Sequence, residues 1–266
     1  MERAFDALAD RRLGLDEHWL VHQAALRLQG PYPERAAGFP PPVSSHPKAQ
    51  GAALALWRTR DVAPPALPQR AVPADVAPSR NAIPQADSDG PILTALSTSA
   101  MRCARGNPAA GAELQRAASA TGVGGYVATH QLLFLVFGVS KGCVDAAEVE
   151  PLRQRVARRV YAELLAEPSP VDDLNLERMA MLCHSGLCNW VGDAMIQAVL
   201  DAQRPSGLWD VVLAGPFMRD EHATALAVYV LATTLAERRA FGLSRRPRPA
   251  SWNGHLAFRM TAPERL

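Results

Sequence analysis

Histidine titrates near neutral pH and ligates zinc, iron and copper, so its placement in a chain is the first thing to weigh for chemistry. Two segments of this sequence match each other. His22-Gln23 is followed by a largely apolar run ending at Gly30, and His130-Gln131 by one ending at Gly138. A third imidazole, His222, stands early in another apolar stretch, Glu221 to Ala236. If these segments are equivalent helices packed side by side, their imidazoles approach one rim of a shared cavity. His130 and His222 are then candidates for general acid–base catalysis, and His130, His222 and His22 for the ligands of a divalent metal such as zinc. Glu177 and Glu221, at the starts of buried segments, join them as candidate acids, bases or carboxylate ligands. The plainer alternative is that each ring bonds a backbone carbonyl or caps a loop, and that the helix dipole alone favours the glutamates. His18, four residues before His22, shares its helix face. A further cluster, Cys183-His184 with Cys188, has the makings of a metal site, but buried free cysteines explain it more simply.

The elements that must position these residues are helices. Leu13 to Gln29 reads as a helix stopped by Gly30-Pro31, and Gln50 to Arg60 as a short apolar one. Between Asp61 and Gly90 the prolines at 64, 65, 68, 73, 78 and 84, with few large apolar groups, point to an extended, mobile linker. Beyond it, Pro91 to Arg105 and Ala109 to Ala120 are helical, and Tyr126 to Phe137 is apolar nearly all round. A helix without a polar face must be surrounded by protein. Ala146 to Glu167 instead carries one stripe (Val149, Leu152, Val156, Val160, Leu164), with Arg155, Arg158, Arg159 and Glu163 on other faces. The alternation repeats: Leu174 to Leu187 buried, Val191 to Gln203 amphipathic, Glu221 to Ala236 buried. The buried segments start near residues 128, 174 and 220, a spacing of roughly 46 residues that suits a helical-pair repeat.

The expected class is therefore all-α, with helical hairpins arranged as an α/α toroid (a partial barrel) or, alternatively, as an open α-solenoid. The division that follows is N-terminal helices over 1–60, a proline-rich linker over 61–90, a helical-hairpin core over 91–242 and a tail over 243–266. In the tail Trp252, Leu256 and Phe258 are apolar enough to dock on the core.

Gln203-Arg204-Pro205-Ser206-Gly207-Leu208-Trp209 reads Q-x-x-x-G-x-W, and Glu221-His222-Ala223-Thr224-Ala225-Leu226-Ala227 follows it. This segment resembles the repeat of the terpene-cyclase and protein-prenyltransferase β-subunit superfamily. The resemblance covers about Tyr126 to Ala236. It implies an α/α toroid in which glutamine and tryptophan brace neighbouring helices, a cyclase-like or transferase-like activity, and a place in secondary metabolism. It also places His222 where the prenyltransferases hold a zinc-ligating histidine. The aspartate-rich acid motif of the cyclases and the D-x-C pair of the prenyltransferases have no counterpart here, and Asp172-Asp173 reads as a helix cap.

Bulk properties narrow the partners. The 266 residues carry a net charge of +2 and 48% hydrophobic residues, an ordinary globular balance. No basic stripe interleaves with aromatics, so nucleic acid is not an expected partner. The most apolar stretch, Val127 to Val139, is too short to span a bilayer. The start of the chain lacks the apolar core of a signal peptide, and the four cysteines form no disulfide framework, so a cytoplasmic, reducing location is expected. The function that emerges is an enzyme whose central cavity binds an apolar or peptidic substrate. The alternative is a non-catalytic binding or scaffold module built from the same repeats.

Overall fold

A computed structural model describes residues 1–42, 67, 69–79, 86–107, 109–167, 171–209 and 220–240. Helices dominate: α1 (Glu2–Ala9), α2 (Leu15–Leu28), α3 (Tyr32–Ala37), α4 (Ala86–Ala104), α5 (Ala109–Ala118), α6 (Gly125–Ser140), α7 (Ala146–Ala166), α8 (Asp173–His184), a 3₁₀ turn Cys188–Trp190, α9 (Asp193–Asp201) and α10 (Asp220–Ala240). Among the described residues the fold is all-α, with one isolated bridge between Gln203 and Trp209.

Buried helices stand in a row. α10 packs between α2 and α8, α8 between α10 and α6, and α6 against α4. Contacts along the row show that its members run parallel. At one end the first turns of α6, α8 and α10 are joined by Tyr126, Asp173 and His222. At the other, Cys103 near the end of α4 bonds Cys143 just past α6, and His184 at the end of α8 meets Tyr229 of α10. The connecting helices return antiparallel. Glu163, near the end of α7, accepts from the amide of Gly125 at the start of α6 (2.9 Å). Gly111, near the start of α5, lies so close to Cys143 beyond α6 that a Cβ there would sit 1.9 Å from its carbonyl oxygen.

Local chemistry sets the ends. Asp145 caps α7 by accepting from the amides of Ala147 and Glu148 (2.8 and 3.2 Å), and Asp172 caps α8 by accepting from Asn175 (2.7 Å). The core of α6, Leu132 to Phe137, is buried throughout, as its all-round apolarity requires. α7 is half-buried, but Glu163 and Arg153 do not face water. Arg153 is 1% exposed, binds Glu150 (2.8 Å) and donates to the Ser185 carbonyl. Glu163 pairs with buried Arg178 (3.0 Å) while accepting from Gly125. Burying either charge is tolerable only because its partner is buried with it.

The Q-x-x-x-G-x-W segment is a brace of a different kind from the one expected. Among the described residues Gln203 donates to the carbonyl of Gly207 in its own turn (3.0 Å). The Trp209 indole donates to the Val199 carbonyl (2.6 Å), and its amide donates to the Thr224 hydroxyl on α10 (3.0 Å). Gly207 has φ +91, and a Cβ there would lie 2.3 Å from the Arg3 carbonyl, so the turn also seats α1.

Three further expectations change. The four cysteines are not free: Cys103 pairs with Cys143 and Cys183 with Cys188. The described part of the expected linker is docked. The Arg70 carbonyl accepts from Asn189 (2.8 Å) and from the Trp190 indole (3.1 Å), Ser79 donates to the Ala162 carbonyl (3.0 Å), and Val76 packs on the core. A boundary near residue 90 falls inside α4. The expected helix over 50–60, the rest of the linker and the tail with Trp252, Leu256 and Phe258 lie outside the described residues. No helix among the described residues is long and apolar enough to cross a membrane.

Candidate functional site

Polar side chains gather where the first turns of the parallel helices meet. On α6, Tyr126 and His130 are four residues apart and so share a face. On α8, Asp173 and Glu177 repeat that spacing beside them. The Tyr126 hydroxyl donates to Asp173 Oδ2 (2.8 Å). His222 Nδ1, on α10, donates to the other oxygen of the same carboxylate (2.8 Å). His130 Nδ1 donates to the Tyr126 carbonyl (2.7 Å) and lies 3.3 Å from Glu177 Oε1. The Thr129 hydroxyl donates to that glutamate oxygen as well.

Asp173, Glu177 and Thr129 are buried. The two rings are not sealed: the His130 side chain is 35% exposed and that of His222 13%. Both histidines thus spend Nδ1 on the protein, and neither Nε2 has a partner among the described residues. The expected convergence of His130 and His222, with Glu177 beside them, is present in the geometry. They are near enough that the charge of His222 opposes protonation of His130.

The α2 end adds two carboxyls. Asp16 and Glu17 lie in its first turn and act on the charge of His222. Burial, reinforced by the charge of Asp16 and a hydrogen bond with it, pushes Glu17 up to about 8. Apart from Asp16, its Oε2 is buried without a hydrogen-bond partner among the described residues. A Cβ on Gly14 would lie 2.3 Å from that oxygen, so glycine there makes its room. For His222, burial opposes the charged form. The hydrogen bond and charge of Asp173, with Asp16 and Glu177 behind it, outweigh burial and lift the ring to about 10. His130 is also raised: the surrounding protein opposes its charge, but Glu177 and the Tyr126 carbonyl prevail. Burial and the charge of Asp173 hold the Tyr126 hydroxyl in its protonated form, well above the ordinary range.

Two expected members are elsewhere. Glu221 is engaged by Arg11 (3.1 Å), so its carboxylate serves the α1–α2 junction. His22 stacks on His18 (ring centroids 6.0 Å apart), whose Nε2 donates to the Pro40 carbonyl (2.6 Å) and whose ring meets Phe39 edge-on. The metal set His22, His130 and His222 is therefore not assembled. Among the described residues no group of three or more His, Cys, Asp or Glu side chains is placed to hold an ion. The Cys183-His184-Cys188 alternative also fails, because its sulfurs are joined to each other.

Asp173, Tyr126 and Thr129 were not singled out from sequence. Two adjacent aspartates at a helix start read as one cap. Asp172 is that cap, while Asp173, one position and about 100° further round the helix, faces the bundle. The signal that finds the pair is the matched i,i+4 spacing of Tyr126/His130 and Asp173/Glu177 on neighbouring buried helices.

No protein-family model, no curated protein and no solved structure matches this chain.

Proposed function

We propose that this chain is an enzyme of the acid–base type, acting on a small apolar or peptidic substrate at the amino ends of α2, α6, α8 and α10. The observation that carries the reading is the pair of histidines on parallel helices, each oriented at Nδ1 and each with Nε2 unclaimed among the described residues. A carboxylate or carbonyl that holds Nδ1–H fixes the tautomer and ring plane, leaving Nε2 to face a reacting group. His222, raised to about 10, is an imidazolium at neutral pH and offers Nε2–H as the proton donor. His130, more exposed and beside Glu177, is the base when neutral, taking a proton at Nε2. One proton leaves the substrate or a water and one enters it, so the step balances without a redox partner. Glu177 and Asp173 are positioning residues that act through the rings. In this reading the row of parallel helices is an arc of an α/α toroid, and the substrate class is apolar or peptidic. The donor set does not fit a resident metal, and no step is routed through one.

A scaffold role remains the second reading, favoured by one fact. The same hydrogen bonds that orient the rings also clamp α6, α8 and α10 together. The discriminating experiment screens the full chain, in chelator, against panels of apolar esters, amides and short peptides by mass spectrometry. The acid–base reading expects turnover that falls at least ~100-fold in His222→Asn and His130→Asn, with the helical circular dichroism retained. Turnover equal to wild type in both variants, or none by the wild type, leaves the scaffold reading in its place.

A further inference from the structure

At the opposite end of the row lies a cavity of about 360 Å³, bounded by the last turns of α2, α8 and α10, by Gly186 just past α8, and by Leu67 and Gln69. Arg27, His184, Thr233 and Glu237 line it, with Cys183 and Ala236 as apolar wall. Its volume falls in the range of small-molecule sites.

The polar groups around it are ordered. The Arg27 guanidinium lies over the Tyr229 ring, 4.7 Å from its centroid, and donates through Nη2 to the Tyr229 hydroxyl (2.8 Å) and through Nη1 to the Gln23 carbonyl (2.8 Å). The Tyr229 hydroxyl in turn donates to His184 Nδ1 (3.0 Å). Arg27 is thus fixed, yet it has five N–H donors and the described contacts leave its Nε hydrogen unused. Glu237, half-buried on the same cavity, has no hydrogen-bond or ion-pair partner among the described residues. The two groups feel each other's charge but do not form an ion pair. Opposite charges are thereby held apart across one small space, each with binding capacity in hand. The carboxyl ends of three parallel helices add a negative potential that favours a cation beside Glu237.

We propose that this cavity binds a small zwitterion of the amino-acid class, its carboxylate on Arg27 and its ammonium on Glu237. A lone anion would meet Glu237 and a lone amine would meet Arg27. Only a ligand bearing both charges satisfies the two groups at once. The site is separate from the acid–base cluster and does not depend on it.

Calorimetric titration of the full chain at pH 7 tests this with glycine, leucine and phenylalanine, and with N-acetylleucine and leucinamide, which each lack one charge. A free amino acid is expected to bind saturably, with N-acetylleucine and leucinamide at least ~10-fold weaker than leucine. Glu237→Gln is expected to weaken leucine at least ~10-fold while leaving N-acetylleucine unchanged. Arg27→Lys, which keeps the charge, is expected to weaken both, and His130→Asn to change neither. Equal binding of leucine and N-acetylleucine, an unaltered Glu237→Gln variant, or no saturable binding by any of the five compounds overturns the proposal.

Discussion

The two ends of the parallel helix row hold histidines in opposite states, and by opposite means. At the amino end, His222 shares a buried carboxylate with Tyr126 and is lifted to about 10. At the carboxyl end, burial and the neighbouring Arg27 push His184 down to about 3. The same side chain, comparably enclosed, is cationic at one end and neutral at the other. Burial alone favours the neutral ring: it decides at His184, helped by the charge of Arg27, and is overridden at His222 by the Asp173 carboxylate. The ends also differ in what fastens them. Hydrogen bonds to Asp173 and Glu177 tie the first turns of α6, α8 and α10, whereas both disulfides lie at the carboxyl end, joining α4 to the loop after α6 and closing the turn after α8.

The largest test of this contrast is Asp173→Ala. It leaves two half-buried groups, His222 and the Tyr126 hydroxyl, without their shared buried partner. Removing one member of a buried charged pair costs about 3–5 kcal/mol, read as a lowered denaturation midpoint at pH 7. A loss under ~1 kcal/mol would mean that the amino end is not held by this carboxylate.

Reduction is next and strikes the other end. By chain entropy, opening Cys103–Cys143, with a sequence separation of 40, costs about 4 kcal/mol, and opening the short Cys183–Cys188 loop about 2. Cys103→Ser with Cys143→Ser is therefore expected to destabilise more than Cys183→Ser with Cys188→Ser, in denaturant melts of each double variant. Equal losses would contradict the loop-length argument. Tyr229→Phe is the smallest of the three. It takes the hydroxyl from both Arg27 and His184, at about 1–3 kcal/mol, and should let His184 titrate differently while leaving His222 unmoved.

What the sequence disclosed follows the same division. α6, α8 and α10 could be recognised because Leu132 to Phe137, Leu176 to Cys183 and Ala223 to Ala232 leave no face for water. His130, His222 and Glu177 could be picked out by their place in those helices. Asp173 could not, because a neighbouring aspartate supplied an adequate reason for both. The carboxyl-end cluster was hidden for another reason: Arg27 and Tyr229 are 202 residues apart and meet only because α2 packs on α10. Glu163 and Arg178 were obscured likewise, since a charge on an amphipathic helix reads as solvated until its buried partner is seen. Proline content over 61–90 forecast the absence of regular structure across 69–79 but not its docking, which rests on the Arg70 carbonyl and the Ser79 amide.

The most direct measurement is histidine NMR of the uniformly ¹⁵N-labelled full chain, titrated from pH 4 to 10 alongside denaturant melts. His222 is expected to keep both ring protons until the pH nears 10. His184 is expected to stay neutral, with its single proton on Nε2, down to the acid limit of the titration. The linked stabilities have opposite signs. The contribution of His222 is complete below its ordinary value near 6.5 and is lost as the pH rises through about 10. That of His184 is complete above 6.5 and is lost as the pH falls toward 3. Asp173→Asn should abolish the alkaline loss and leave the acid one. If both rings instead titrate together near pH 6.5, with stability flat on either side, the two ends are not the opposed electrostatic sites described here.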